Sequence, residues 1–280
     1  MKMFKAAIAL FLISSIVNSY AQQTTTMEVG QFEKLKIDSN INVIYSNNPD
    51  STGLARFTGI EDISEVFFFT NKGKGTLRIQ VAETQWHHND YPLLFVYSGS
   101  LTDVNSSSEG TVWIEKMTPC VSFSLKQIGN GEIIADNVAC NNLSASITTG
   151  NGTINVSGKC EKASFQMIGA GQIMADRLSA EDVKCTILGT GSIGCWAIDN
   201  LSVKGLGTTK IYYKGHPNIK KSGGGKLFEL PEENSFEKRG AMVERFIDPD
   251  KTNLSKKSEV TGEDEYDVDN EVITVVTGDD

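Results

Sequence analysis

Cys120, Cys140 and Cys160 stand 20 residues apart in turn. Thiols repeated at one interval can pair as a disulfide when a fold stacks them, or can serve as ligands to a soft metal. The chain holds five cysteines, so at least one is unpaired or bonds another chain. Zinc is disfavoured, because no Cys-x-x-Cys occurs and no histidine falls at the same interval. Asp136 and Asp176 are a second candidate, taking the same place two repeats apart with Ser157 between them and Arg177 adjacent. Clustered carboxylates, or calcium with a basic side chain, cleave polysaccharides. A single pair about 9.6 Å apart at the usual strand spacing is a poor constellation for that chemistry. Trp86-His87-His88-Asn89-Asp90 has metal-ligating residue types, but adjacent histidines on a strand point to opposite sides, so a solvent-exposed loop is expected. The acid-rich run from Glu263 to Glu271 lacks the glycine and spacing of an EF-hand loop and reads as a solvated tail. No catalytic residue, metal ligand or cofactor is expected.

The elements that must position these residues show in a repeat. From Ser106 onward one phrase recurs: SSSEGTVWI, QIGNGEIIA, TTGNGTINV, MIGAGQIMA, ILGTGSIGC and GLGTTKIYY. Its second glycine falls at Gly110, Gly131, Gly152, Gly171 and Gly191, with Thr209 in the sixth place, at steps of 21, 21, 19, 20 and 18. Two residues later come Val112, Ile133, Ile154, Ile173, Ile193 and Ile211. Two further on come Ile114, Ala135, Val156, Ala175, Cys195 and Tyr213. Before each glycine phrase lies an alternating apolar pair: Phe123/Leu125, Leu143/Ala145, Ala163/Phe165, Val183/Cys185 and Leu201/Val203. Alternation at period two is the mark of a strand with one buried face, and no helical period occurs in this region.

A unit of about 20 residues with two or three short strands cannot bury its apolar side alone. Stacking unit on unit, strand on matching strand, buries those side chains in a central column, with backbone hydrogen bonds running between coils about 4.8 Å apart. Glycines turn the corners, here Gly129, Gly150, Gly169 and Gly189 with their partners Gly131, Gly152, Gly171 and Gly191. The expected fold is all-β, a parallel β-helix (solenoid). A β-sandwich would demand neither a fixed period nor a stacked isoleucine column. In the coil, Cys120, Cys140 and Cys160 share one corner, Ala180 and Asn200 continue their column, and Cys185 and Cys195 point inward. The thiols then read either as small apolar ladder residues or as holding one bridge among the three that stack.

The remaining segments frame this domain. Residues 1–21 have a basic start at Lys2 and Lys5, an apolar run of about a dozen residues, and small residues at Ser19 and Ala21, the pattern of a secretory signal peptide. No stretch reaches the ~20 residues of a membrane span. Residues 28–100 are strand-like without the clean period and are expected to form irregular first coils or a cap, with a turn over Asn71–Gly75; residues 101–228 form the regular coils. Residues 229–280 hold 6 Lys+Arg and 16 Asp+Glu, a balance of −10, against −9 for the whole chain. This acidic tail includes one strand candidate, Glu271 to Thr277. A near-neutral body with an acidic tail offers no basic footprint for nucleic acid.

The chain resembles the bacterial family called the putative auto-transporter adhesin, head GIN domain. The likeness rests on the Gly-x-Gly-x-Ile phrases at Gly129 to Ile133, Gly150 to Ile154, Gly169 to Ile173 and Gly189 to Ile193, and on the closing Lys210-Ile-Tyr-Tyr-Lys-Gly-His-Pro217. Phe32 to Ile37, Ile41 to Tyr45 and Gly75 to Ile79 are similar to the family's first strands, so that the resemblance covers roughly residues 28–228. Ser108 and Thr209 depart from the glycine pattern at the two end coils. The resemblance implies an exported, single-chain, right-handed β-helix with no established catalytic residues and an adhesin-like role.

The function expected is a non-enzymatic binding module of the bacterial envelope, whether periplasmic, outer-membrane-associated or secreted. Its partner would be a protein or glycan. The alternatives are a polysaccharide-cleaving β-helix enzyme and a structural, self-associating envelope component. One outward column is unusually apolar: Trp113, Ile134, Asn155, Met174, Gly194 and Tyr212. Trp113, Ile134, Met174 and Tyr212 are therefore the candidate interaction stripe, since exposed apolar patches mark contact surfaces. The competing reading is that the tail or the N-terminal segment covers it. Outward positions before the glycines, such as Ser124, Lys126, Ser164, Gln166, Lys184 and Lys204, are uniformly polar.

Overall fold

A computed structural model of the chain describes residues 23–59, 67–71, 75–82, 91–206 and 209–231. The expected signal peptide, residues 83–90 with His87 and His88, and the expected acidic tail beyond residue 231 lie outside the described residues, as do residues 72–74 of the expected turn. The strands are β1 (Gln23–Glu28), β2 (Lys34–Ile37), β3 (Val43–Ser46), β4 (Leu54–Gly59), β5 (Phe67–Asn71), β6 (Thr76–Val81), β7 (Leu94–Tyr97), β8 (Asp103–Ser106) and β9 (Thr111–Lys116). They continue as β10 (Cys120–Gln127), β11 (Glu132–Ile147), β12 (Thr153–Gly169), β13 (Gln172–Gly189), β14 (Ser192–Leu206), β15 (Lys210–Lys214), β16 (Asn218–Gly223) and β17 (Lys226–Glu229). The fold is an all-β solenoid of parallel coils about 20 residues long.

The isoleucine column is a true ladder. Val112 pairs with Ile133, Ile133 with Ile154, Ile154 with Ile173, Ile173 with Ile193, and Ile193 with Ile211. All six are at most 1% exposed. At roughly 1.5–3 kcal/mol for each fully buried aliphatic side chain, this column adds to the hydrophobic driving force supplied by the rest of the buried core. The apolar pairs form a second ladder, in which Leu125, Ala145, Phe165, Cys185 and Val203 follow one another in register and are buried. Between β11 and β12 the pairing runs over 132–135, 138–140 and 142–147, so each coil has three straight segments separated by corners.

The two glycines of the repeat phrase do different work. Gly150 takes φ 78°, in the left-handed region that L side chains avoid. Gly131 has ordinary dihedrals, but a Cβ there would lie 2.0 Å from the carbonyl oxygen of Ser108 in the coil below. In the first regular coil Ser108 replaces glycine and earns its buried place through hydrogen bonds. Its Oγ accepts from the Ile41 and Gly110 amides and donates to the Ile41 carbonyl.

The N-terminal strands join the same ladders, but out of chain order. β2 lies between β6 and β8, and β3 lies between β7 and β9. The coil made first in the chain is therefore second in the stack, held by pairs such as Leu35 with Val104 and Val43 with Val112. Antiparallel strands finish that end: β4 pairs with β7, β1 with β4, and β5 with β6. They occupy strand edges that would otherwise stay open. At the other end, β16 is exposed along its length and carries Lys220 and Lys221, charges that discourage edge-to-edge pairing.

The coil ending in β14 is shorter. Ala175 pairs with Cys195, but Ser179 pairs with Trp196, so residues 176–178 of β13 have no counterpart on β14. This corrects one expectation. The cysteine column does continue from Cys160 to Ala180, yet Ala180 then pairs with Ala197, and Asn200 pairs with Asp182. Loss of three residues at one corner displaces the next segment against the count.

Candidate functional site

Two outward columns border a concavity. Ser124, Ser144, Ser164, Lys184, Ser202 and Lys220 stack in one, and Ser122, Asn142, Lys162, Asp182, Asn200 and Asn218 in the other. They stand on either side of the inward ladder that begins at Phe123 and Leu143. Short serine side chains beside longer amides and lysines leave a groove of about 710 Å³ running across successive coils. Its lining combines the apolar Phe123, Leu143, Ala163, Val183 and Leu201 with hydroxyls, carboxamides and three ammonium groups, against the single carboxylate of Asp182, which accepts a hydrogen bond from Asn200 Nδ2 at 2.8 Å. The groove is thus locally cationic on a chain of net charge −9. The polar column was readable from alternation alone. The concavity was not, because it depends on how the corner after the cysteine column bends.

The candidate stripe is aligned by register: Trp113 beside Ile134, Ile134 beside Asn155, Asn155 beside Met174, Met174 beside Gly194, Gly194 beside Tyr212. The structure extends the column at both ends, to Ile44 and Phe95 on one side and Phe228 on the other. Tyr212 and Phe228 stack with ring centroids 5.2 Å apart. Ile44, Phe95 and Tyr97 form an apolar cluster of their own, with Trp113 against it. The column is less open than a bare outward face would be. Ile134 is 4% exposed, and Trp113, Met174 and Tyr212 are half-buried.

The carboxylates do not come together. Between Asn155–Met174 and Ser157–Arg177 the register slips by one residue, so Arg177, not Asp176, stands beside Ser157. Asp136 accepts from Ser157 Oγ at 2.9 Å and from Trp113 Nε1 at 3.3 Å, and Arg177 Nη2 lies 3.9 Å away. Together with Glu115 and Asn137, the latter at φ 55°, they line a shallow cup of about 560 Å³. Asp176 is buried and faces Lys214 instead. A bulge of one residue thus separates the pair that the repeat count had aligned.

Cys120, Cys140 and Cys160 are in register on successive coils and half-buried, whereas Cys185 and Cys195 are fully buried. The two neighbouring thiols Cys140 and Cys160 influence each other, Cys160 raising the Cys140 pKa and Cys140 lowering that of Cys160. The neighbouring Cys195 thiol and burial push Cys185 upward. Among the described residues, no group of three His, Cys, Asp or Glu side chains is arranged to hold a metal ion.

Comparison with solved structures places the fold among bacterial relatives. A putative adhesin from Bacteroides fragilis superposes with a TM-score of 0.67 at 23% identity, over 76% of this chain and 98% of that one. A putative adhesin from Parabacteroides merdae gives 0.60 at 20% identity, with the same coverage of each chain. A putative lipid binding protein from Parabacteroides distasonis gives 0.54 at 21% identity, again over 76% and 98%. No curated protein matches. At these identities the likeness shows a shared fold. Residues 31–217 match the family described as putative auto-transporter adhesin, head GIN domain, and with its stacked glycine corners and isoleucine ladder the chain belongs to that family.

Proposed function

We propose that this protein is a non-enzymatic, exported binding module of the bacterial envelope, taking a glycan or an extended protein segment along its grooved face. The observation that carries this reading is the groove lined by Ser144, Ser164, Lys162, Lys184, Asn142 and Asn200. Repeated hydroxyl, amide and ammonium groups at the coil spacing of about 4.8 Å suit a chain ligand that bears hydroxyls and acid groups. The relatives described as adhesins agree with a binding role.

The test is titration of the purified protein with acidic and neutral polysaccharides, comparing wild type with Lys162→Glu/Lys184→Glu. Binding of acidic chains that falls at least tenfold in the variant agrees with the proposal. Equal binding by both proteins, or none to any polysaccharide or envelope extract, removes the groove as the site. Release of reducing or unsaturated ends in the same incubations would favour the polysaccharide-cleaving alternative.

The apolar column at Trp113, Ile134, Met174 and Tyr212 is a second contact surface in this reading, for self-association or for a partner. Trp113→Ala with Met174→Ser weakens either one if the column takes part. Unchanged light scattering and unchanged partner binding would exclude it.

A further inference from the structure

We propose that Cys140 and Cys160 are a disulfide-forming pair that staples two successive coils, with Cys120 as the neighbouring thiol that can exchange into the bridge. The two residues are direct partners in the parallel ladder between β11 and β12. In-register partners on adjacent strands lie about 4.8 Å apart, within the Cα range a disulfide spans. The pair sits at the edge of a corner, since the ladder passes from Cys140↔Cys160 to Asn142↔Lys162. Small closure of the two sulfurs there does not have to break a straight run of sheet.

Two further observations separate this pair from the other thiols. The Cys120 thiol turns away to donate to the Ser122 carbonyl at 3.4 Å, although Cys120 is in register with Cys140. Cys185 and Cys195 are 0% exposed, out of reach of a dissolved oxidant. The neighbouring Cys140 thiol lowers the Cys160 pKa, which favours Cys160 as the first attacking thiolate.

The oxidant is a small or protein disulfide. The Cys160 thiolate attacks one sulfur of the oxidant and releases one thiol, leaving a mixed disulfide on Cys160. The Cys140 thiolate then attacks the Cys160 sulfur and releases the second thiol. Two protein thiols become one disulfide, the oxidant disulfide becomes two thiols, and the two protons pass to the released thiols. Attack by Cys120 on the Cys140 sulfur would move the bridge one coil along and free Cys160, with no net oxidation.

The test uses the full chain, reduced and then incubated with mixtures of oxidised and reduced glutathione, followed by peptide mapping without reductant. The expected product links the peptides of Cys140 and Cys160 at a mass two hydrogens lower, while Cys185 and Cys195 stay alkylatable after unfolding. Cys120→Ser leaves this product in place. Cys160→Ser yields a Cys120–Cys140 link instead, and the oxidised wild type melts at a higher temperature than the reduced protein. The proposal is overturned if no link forms, if glutathione adducts at Cys140 or Cys160 persist, or if wild type gives mainly Cys120–Cys140 or Cys185–Cys195.

Discussion

Lys214 Nζ lies 3.8 Å from Asp176 Oδ2, with the two side chains only 6% and 0% exposed. Lys214 reaches Asp176 across the gap where β14 lacks residues opposite 176–178. The ion pair thus fills a defect left by the short coil. Removing one member of a buried ion pair costs about 3–5 kcal/mol. Lys214→Met is expected to lower the urea midpoint by that much stability, and adding Asp176→Asn to recover most of it. A double variant as unstable as Lys214→Met would show that lost packing, and not the charge remaining on Asp176, is responsible.

Ile154 is clamped between Ile133 and Ile173 and is 0% exposed. Ile154→Ala should destabilise the protein by about 2–5 kcal/mol, since neighbours held by sheet hydrogen bonds on both sides cannot collapse into the cavity. Denaturant unfolding measures it. Ser144→Ala, on an exposed outward position of the same coil, should change stability by less than about 0.5 kcal/mol.

Gly150→Ala meets two obstacles at once: φ 78° and a new Cβ 2.6 Å from the Gly129 carbonyl oxygen. Backbone strain of this kind costs about 1–3 kcal/mol, and the contact adds to it. The expected result is a lower thermal midpoint with unchanged far-UV circular dichroism below the transition. A midpoint equal to wild type would mean the corner is not built as described.

Burial raises the Tyr45 phenol above its ordinary value of 10.0, and burial with the nearby Glu229 carboxylate raises Tyr213. The folded chain therefore holds these protons more tightly than the unfolded chain. Their contribution is fully present below about pH 10 and is lost as pH climbs above it. Stability should fall steeply in that alkaline range, and Tyr45→Phe should flatten the fall. The same variant gives up the hydrogen bond from Tyr45 Oη to the Ser98 carbonyl, about 1 kcal/mol at neutral pH. Urea midpoints between pH 8 and pH 11 check both effects.

Much of the architecture was legible because a stacked coil writes its geometry into the chain as a period. Ile133, Ile154, Ile173 and Ile193 stand where the interval puts them, as do Cys120, Cys140 and Cys160. Counting failed where a coil gained or lost residues. One extra residue after Ala175 turned Asp176 into the interior and put Arg177 beside Ser157. Three missing residues moved Ala197, not Asn200, beneath Ala180. The placement of β2 and β3 had no local signal, since Leu35 finds Val104 through a pairing that only the closed stack rewards. The stripe residues were found by alternation, but their degree of cover was not, because burial of an outward side chain is decided by whatever lies over it.

The interleaving of β2–β3 between β6–β7 and β8–β9 has a consequence for how such a molecule is made and lengthened. As synthesis proceeds, the first coil emerges with no neighbour and must wait until β6 to β9 are available on both flanks. Duplicating a 20-residue unit near the amino end would disrupt that clasp. Among β10 to β14, a duplicated unit would simply slot in as one more storey. Members of this family that differ in height should therefore differ in the number of storeys on the carboxyl side, above a slowly assembled foundation.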